Sequence, residues 1–302
     1  MHLQLRPLTI NPATLNGLSE KLIVSHHANN YTGAVKRLDA IRQQLAQLDW
    51  PCAPVFVING LKREELIAAN SAWLHELYFD TLGGDGTLSD SGLAVTLTRD
   101  FGNAERWRAE FSALAKAMGG GSGWAVLSWS SREARLINHW AADHTHLLAG
   151  ATPLLALDMY EHAYHMDFGA KAAAYVDVFI QNIRWETVMQ RFSAAIEADA
   201  RPWAADPADM HGDAQIVDVR SAANYAQSAD RVAGAVWRDP VALETWSREL
   251  DHTRPVLVYC VHGHDVSRAA ALALRARGLD ARFIAGGIEA CRAAGITLEA
   301  KE

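Results

Sequence analysis

The run Leu154-Leu155-Ala156-Leu157, leading into Asp158-Met159-Tyr160-Glu161-His162-Ala163-Tyr164-His165, sets the frame for the rest of the chain. Four to five apolar residues bounded by Pro153 read as a short buried strand. A carboxylate and an imidazole four residues apart at the mouth of that strand are more than packing requires. Both are hard-to-borderline donors, suited to Fe, Mn or Zn. Taken alone the pair reads first as a satisfied core pair. Two imidazoles upstream, His26 and His75, turn the reading toward a metal.

A chain of 302 residues has room for one large domain or two ordinary ones. Half of its residues are hydrophobic and 21% are charged, an ordinary globular composition. The net charge of −7 is spread along the chain without a basic stripe, so nucleic-acid binding has no electrostatic support. Residues 1–18 lack the apolar core of a secretory signal. No run approaches the roughly 18 apolar residues of a membrane span. Cys52, Cys260 and Cys291 are too scattered for a disulfide framework or a CxxC zinc pattern. The expectation is a soluble, cytoplasmic protein with neither nucleic acid nor membrane as a partner.

Apolar residues at helical intervals predict one long helix over 18–48 and a second over 62–79, the latter opening with acidic residues. Shorter helices are expected over 92–99 and 103–118, with Asn103 as a cap. Runs of β character follow at 124–130 and 134–140, then the strand ending at Asp158, then helix over 170–200. Helices first and a small antiparallel sheet later make this part α+β. Residues 200–212, with two prolines, small residues and acids, read as a linker. Beyond it, strands at 215–219, 256–259 and 281–284 alternate with a helix at 267–277, which predicts a small α/β domain with a parallel sheet.

The signature at Asp158–Tyr164 resembles the DxWEHAYY motif of iron/manganese superoxide dismutases. The resemblance extends over residues 18–190 and includes Gly121-Ser122-Gly123-Trp124, Thr152-Pro153-Leu154-Leu155 and Asn182-Ile183-Arg184-Trp185-Glu186. It implies a dismutase-like domain over residues 1–199 holding one Fe or Mn ion on His26, His75, Asp158 and His162. The implied activity converts superoxide to hydrogen peroxide and oxygen. Three neutral imidazoles and one carboxylate leave a di- or trivalent ion net positive, which attracts a small anion. A hydrolytic zinc enzyme would want a general base beside the ligands, and none is evident. Glu161 resembles the residue that reaches a partner's ligand histidine, implying a homodimer or a dimer of dimers.

Around the ligands the chain departs from the family. A His four residues after the first ligand and a Tyr eight residues after it are replaced by Asn30 and Ala34, with Tyr31 nearby as a substitute. The helical position that usually faces the metal-bound solvent is Ser71, which is too short. His144, from the sheet side, is the candidate for that role and His146 the runner-up. The last Tyr of the signature is His165 and its Trp is Tyr160. His27 and His139 read as packing residues, and Phe79, Trp124 and Tyr160 as an aromatic shell.

In the second part, Ile216-Val217-Asp218-Val219-Arg220, Tyr225, Val232-Ala233-Gly234-Ala235-Val236, Val258-Tyr259-Cys260 and Gly286-Gly287-Ile288 resemble rhodanese-like domains over about residues 210–296. A domain over 213–302 is expected, with Cys260 as a reactive cysteine whose thiolate is favoured by loop amides. Asp265 stands where the family often has a basic residue, and Val266 where it has a Ser. This disfavours thiosulfate relative to a low-charge persulfide donor, with Asp265 expected to point into solvent. A phosphatase of this fold would need Arg at Val266; Arg268 comes two residues too late. Cys52 and Cys291 are expected to be inert. The catalytic candidates are thus Cys260, His144 and Tyr31. The leading reading is a superoxide dismutase with a sulfurtransferase-like tail. The alternative is a metal-containing redox or sulfur-stress binding protein with weak dismutase turnover and a non-catalytic rhodanese-like module.

Overall fold

The computed structural model describes residues 3–210 and 212–301. Its first part opens with α1 (Glu20–Ser25), α2 (Thr32–Ala46) and α3 (Val55–Asp80), followed by α4 (Gly92–Phe101) and α5 (Ala104–Ala117). The side chains of Ser19, Ser91 and Asn103 accept the first free amides of α1, α4 and α5, which fixes where each helix starts. The sheet is β1 (Trp124–Ser130), β2 (Arg135–Ala141) and β3 (Ala151–Asp158), antiparallel, in the order β2-β1-β3. β1 is buried along its whole length. The register sets Trp124 opposite Asp158, at the end of the sheet that faces the helices. Next come α6 (His165–Phe168), α7 (Ala172–Gln181) and α8 (Trp185–Ala200).

Three expectations are corrected here. The helix over 18–48 is not regular: between α1 and α2 the six residues His26–Tyr31 form a π-turn. The second helix starts at Val55, not at 62, and has no acid in its first turn. Pro54 precedes it with an extended backbone, so the proline that reads as a break is where the helix begins. The stretch 170–200 is two helices, because Asn182 closes α7 and its side chain is spent on the backbone of Asn16 and Val178.

The second part contains β4 (Ala204–Ala205), β5 (Gln215–Asp218), α9 (Ala222–Gln227), β6 (Asp230–Val232), β7 (Val236–Trp237), α10 (Leu243–Trp246), β8 (Val256–Tyr259), α11 (Asp265–Arg275), β9 (Ala281–Ile284), α12 (Gly287–Ala293) and β10 (Leu298–Ala300). Five strands form a parallel sheet in the order β4-β9-β8-β5-β7, and β6 and β10 make a separate antiparallel ribbon. The architecture is therefore an α+β domain followed by a small parallel α/β domain. Within the sheet Arg220 and Tyr259 both bond the buried carboxylate of Asp218.

Residues 200–212 are not a free tether. Ala204–Ala205 pair with β9 as the edge strand, and the Arg275 guanidinium lies 3.3 Å above the Trp203 ring. His211 falls outside the described residues. One apolar cluster runs through both parts, joining Leu97 and Phe192 to Leu243, Ala270 and Leu274. Asp265 does not point into solvent: it accepts a 2.6 Å hydrogen bond from the Ser193 hydroxyl on α8. At the start of α4, a Cβ on Gly92 would stand 2.3 Å from the Cβ of Asp265, so only glycine admits this approach.

Candidate metal centre

Four elements converge on one point. His26 comes from the π-turn, His75 from the penultimate turn of α3, Asp158 from the end of β3, and His162 from the short turn that follows. The π-turn inserts an extra residue into the helical ladder, and such insertions are frequent at functional sites. The Nε2 atoms of His26 and His162 each lie 3.2 Å from Asp158 Oδ2, and that of His75 lies 3.4 Å away. The four potential ligand atoms all fall within 4.8 Å of one another. His26, His75 and Asp158 have buried side chains, whereas 29% of the His162 side chain is exposed. The cluster therefore opens at His162.

Electrostatics prepare the cluster for a cation. Burial drives the His26 imidazole below its ordinary value, against the opposing pull of Asp158. Burial takes His75 down to about 3. For Asp158, burial pushes the carboxyl up, but contacts from His162 and His26 outweigh it and hold the group well below the usual carboxylate range. At neutral pH His26 and His75 are thus neutral and Asp158 ionised, the protonation state that a metal requires. The Nε2 of His75 is buried with no hydrogen-bond partner, as expected of an atom kept for another purpose. Three imidazole nitrogens and one carboxylate oxygen suit iron or manganese.

An aromatic shell surrounds the cluster. Phe79, Tyr78 and Trp124 pack on the ligand rings. The rings of His144, Tyr160 and His162 form a stack, with centroids 5.0 and 5.5 Å apart. His144 Nδ1 accepts a 2.9 Å hydrogen bond from Trp124 Nε1. His146 is mostly exposed and stacks on Trp140 instead. Tyr31 is not brought to the ligands. Its hydroxyl donates to Glu76 and accepts from the Arg6 amide, and its ring meets His27 and Phe79. The π-turn accounts for this, because it turns the residues after His26 away from the direction that an unbroken helix would give. Asn30 is half-buried, while Glu161 and His165 are exposed.

In the second part Cys260 is buried, with Sγ 3.2 Å from the Ser267 hydroxyl, so that serine partners the thiol from one residue beyond the family position. The loop after it is gripped by the Gly286–Gly287 turn. A Cβ on Gly287, at φ +60°, would stand 2.5 Å from the carbonyl oxygens of Cys260 and Val261. Cys52 is the exposed cysteine, and burial raises the Cys291 thiol to about 11. Ser267, Ser193 and the Ser71 carbonyl carry no motif that would have singled them out.

Comparison with known proteins places these features. Over 193 residues the chain is 63% identical to a superoxide dismutase [Fe] of Cupriavidus metallidurans, covering 64% of this chain and 98% of that protein. The chain belongs to the iron/manganese superoxide dismutase family. Residues 89–191 match the C-terminal domain of iron/manganese superoxide dismutases, and residues 202–294 match the rhodanese-like domain. A superoxide dismutase [Fe] of Aquifex pyrophilus is 34% identical over 197 residues, covering 63% of this chain and 91% of that protein. A superoxide dismutase [Mn] 1 of Halobacterium salinarum is 32% identical over 182 residues, covering 60% and 89%. Dismutase-family proteins named for either metal are thus among its relatives. No helix of the described residues is long and apolar enough to cross a membrane.

Proposed function

We infer that the chain is a superoxide dismutase that holds one iron or manganese ion on His26, His75, Asp158 and His162. The observation that carries this is the convergence of three Nε2 atoms on Asp158 Oδ2 inside a pocket that keeps His26 and His75 neutral. When bound, such an ion shuttles between two and three positive charges, which lets one superoxide be oxidised to oxygen and the next be reduced to peroxide. The residues do the rest. Asp158 contributes a single negative charge, so the loaded site stays cationic and draws a small anion. His162, the exposed ligand, marks the side from which that anion arrives. Trp124 donates to His144 Nδ1, which leaves the proton of the neutral ring on Nε2 as a donor held beside the ligand stack. Burial pushes Tyr160 up to about 12, so its phenol keeps its proton.

Glu161 and His165 together offer a surface for a second copy of the chain, in a homodimer working in the cytoplasm. The rhodanese-like domain, with Cys260 against Ser267, fits an accessory sulfurtransferase, and residues 206–213 form the boundary between the two domains. The test is metal analysis of the purified full chain together with a steady-state superoxide assay. Close to one Fe or Mn per chain with rapid turnover is expected. A fully loaded protein without turnover would leave only the metal-binding alternative.

A further inference from the structure

A cavity of about 260 Å³ lies where the two domains meet. Glu197 and Arg201, at the end of α8 and just beyond it, wall one side; His262, His264, Arg268 and Phe283 wall the other. Arg268 lies with its guanidinium 5.6 Å over the Phe283 ring, and its Nη1 is 3.3 Å from Glu197. Its Nε is buried and has no acceptor. Arg201 makes no ion pair among the described residues. The carboxylate that the sequence puts on the cysteine loop, Asp265, is not among the lining residues, because it is committed to Ser193. Two guanidinium groups therefore face one carboxylate, and the two imidazoles add charge as pH falls.

We propose that this cavity is an anion site assembled from both domains, in which Arg201 of the dismutase domain selects the small sulfur oxyanions that reach the Cys260 loop. The basic residue missing from the loop is replaced in space by Arg268, two turns' reach into α11, and by Arg201 from across the junction. An unsatisfied guanidinium N–H in a cationic recess is matched by a small oxyanion, which accepts from several donors at once. A volume near 260 Å³ admits such an anion with a few waters and is below the usual range for larger organic ligands. The choice of thiosulfate as the ligand rests on the sulfur-transfer reading of Cys260; anion binding itself does not.

The experiment is calorimetric titration of the full, metal-loaded chain with sodium thiosulfate and, separately, sodium sulfate, at constant ionic strength. Saturable binding of one thiosulfate per chain is expected. Arg201→Glu should weaken it by about tenfold, and Glu197→Gln should tighten it, because charge reversal and charge removal act in opposite directions on an anion. Metal content, read in parallel, reports that each variant is folded. Cys260→Ser should leave the affinity unchanged. Sulfate binding as tightly as thiosulfate, with the same dependence on Arg201, would support the composite site and overturn thiosulfate as its dedicated ligand. Absence of saturable binding of either anion, or an unchanged affinity in Arg201→Glu, would overturn the proposal.

Discussion

His75 donates its Nδ1–H to the carbonyl of Ser71, one helical turn back, across 2.6 Å. That bond fixes the tautomer and aims the Nε2 lone pair at the space beside Asp158. Orientation of a ligand imidazole through its other nitrogen is a general device of metal sites. Here the partner is a backbone carbonyl, so the side chain of residue 71 is dispensable.

The first prediction follows from that difference. Ser71→Ala should retain close to a full complement of metal, while His75→Ala should retain almost none. Elemental analysis after dialysis against a mild chelator reads both. Full loading of His75→Ala would sink the ligand assignment.

Acidity should release the metal and loosen the fold together. His75 sits at about 3 in the folded chain, against an ordinary value near 6.5 for an unfolded histidine. Between those values the unfolded chain binds the extra proton and the folded chain does not, so stability rises with pH. The contribution is fully present above about pH 6.5 and fades as pH falls toward 3. Melting temperature and retained metal should therefore decline together from pH 7 to pH 4. A melting temperature independent of pH over that range would contradict the burial argument.

His144 should act on turnover and not on loading. Its ring touches the ligand stack through Tyr160 and takes its tautomer from Trp124. Loss of such an outer partner typically costs about 10- to 100-fold. His144→Ala is expected to keep its metal and lose superoxide turnover on that scale. Unchanged turnover would remove His144 from the mechanism.

Reagent size should separate the cysteines. Cys52 is exposed and Cys260 buried, which reverses the sequence expectation that Cys260 is the fastest to alkylate. A bulky maleimide should label Cys52 alone. A small persulfide donor should modify Cys260, more slowly in Ser267→Ala, where the hydroxyl able to bond a thiolate is gone. Mass spectrometry of the peptides decides it. If Cys260 stays unmodified by the small donor while Cys52 reacts, the second domain is a binding module.

The junction gives a further expectation. Limited proteolysis within residues 206–213 should nick the chain, yet the two fragments should elute together because their cores are continuous. Gly92→Ala forces a Cβ against Asp265, an overpacking that costs about 1–3 kcal/mol. The nicked variant should separate on a sizing column. Separation of the nicked wild type would count against a continuous core.

The ligand set was legible because Asp158 and His162 lie in one contiguous motif and His26 and His75 precede them on strongly periodic helices. The turn that carries His26 was not. His26-His27-Ala28-Asn29-Asn30-Tyr31 is mostly polar, so an extra residue in the ladder leaves no break in the apolar pattern around it. The start of α3 was missed because Val55 and Phe56 are 81% and 74% exposed, and apolar residues facing water do not mark a helical face. Asp265 was misplaced for a different reason. Its partner is a serine 72 positions away, on a helix of the other domain, and no local pattern encodes that contact.

The fit of Gly92 against Asp265 also bears on inheritance. A relative covered to 98% of its length by 193 matched residues has no room for a second domain, so its residue at that position answers to its own helix alone. In this chain the position answers to a neighbour acquired by fusion. A dismutase domain transplanted from such a relative would bring whatever side chain it tolerates there, and anything larger than hydrogen would lift α11 off α4. The two halves are thus no longer interchangeable parts. They have to change as a pair.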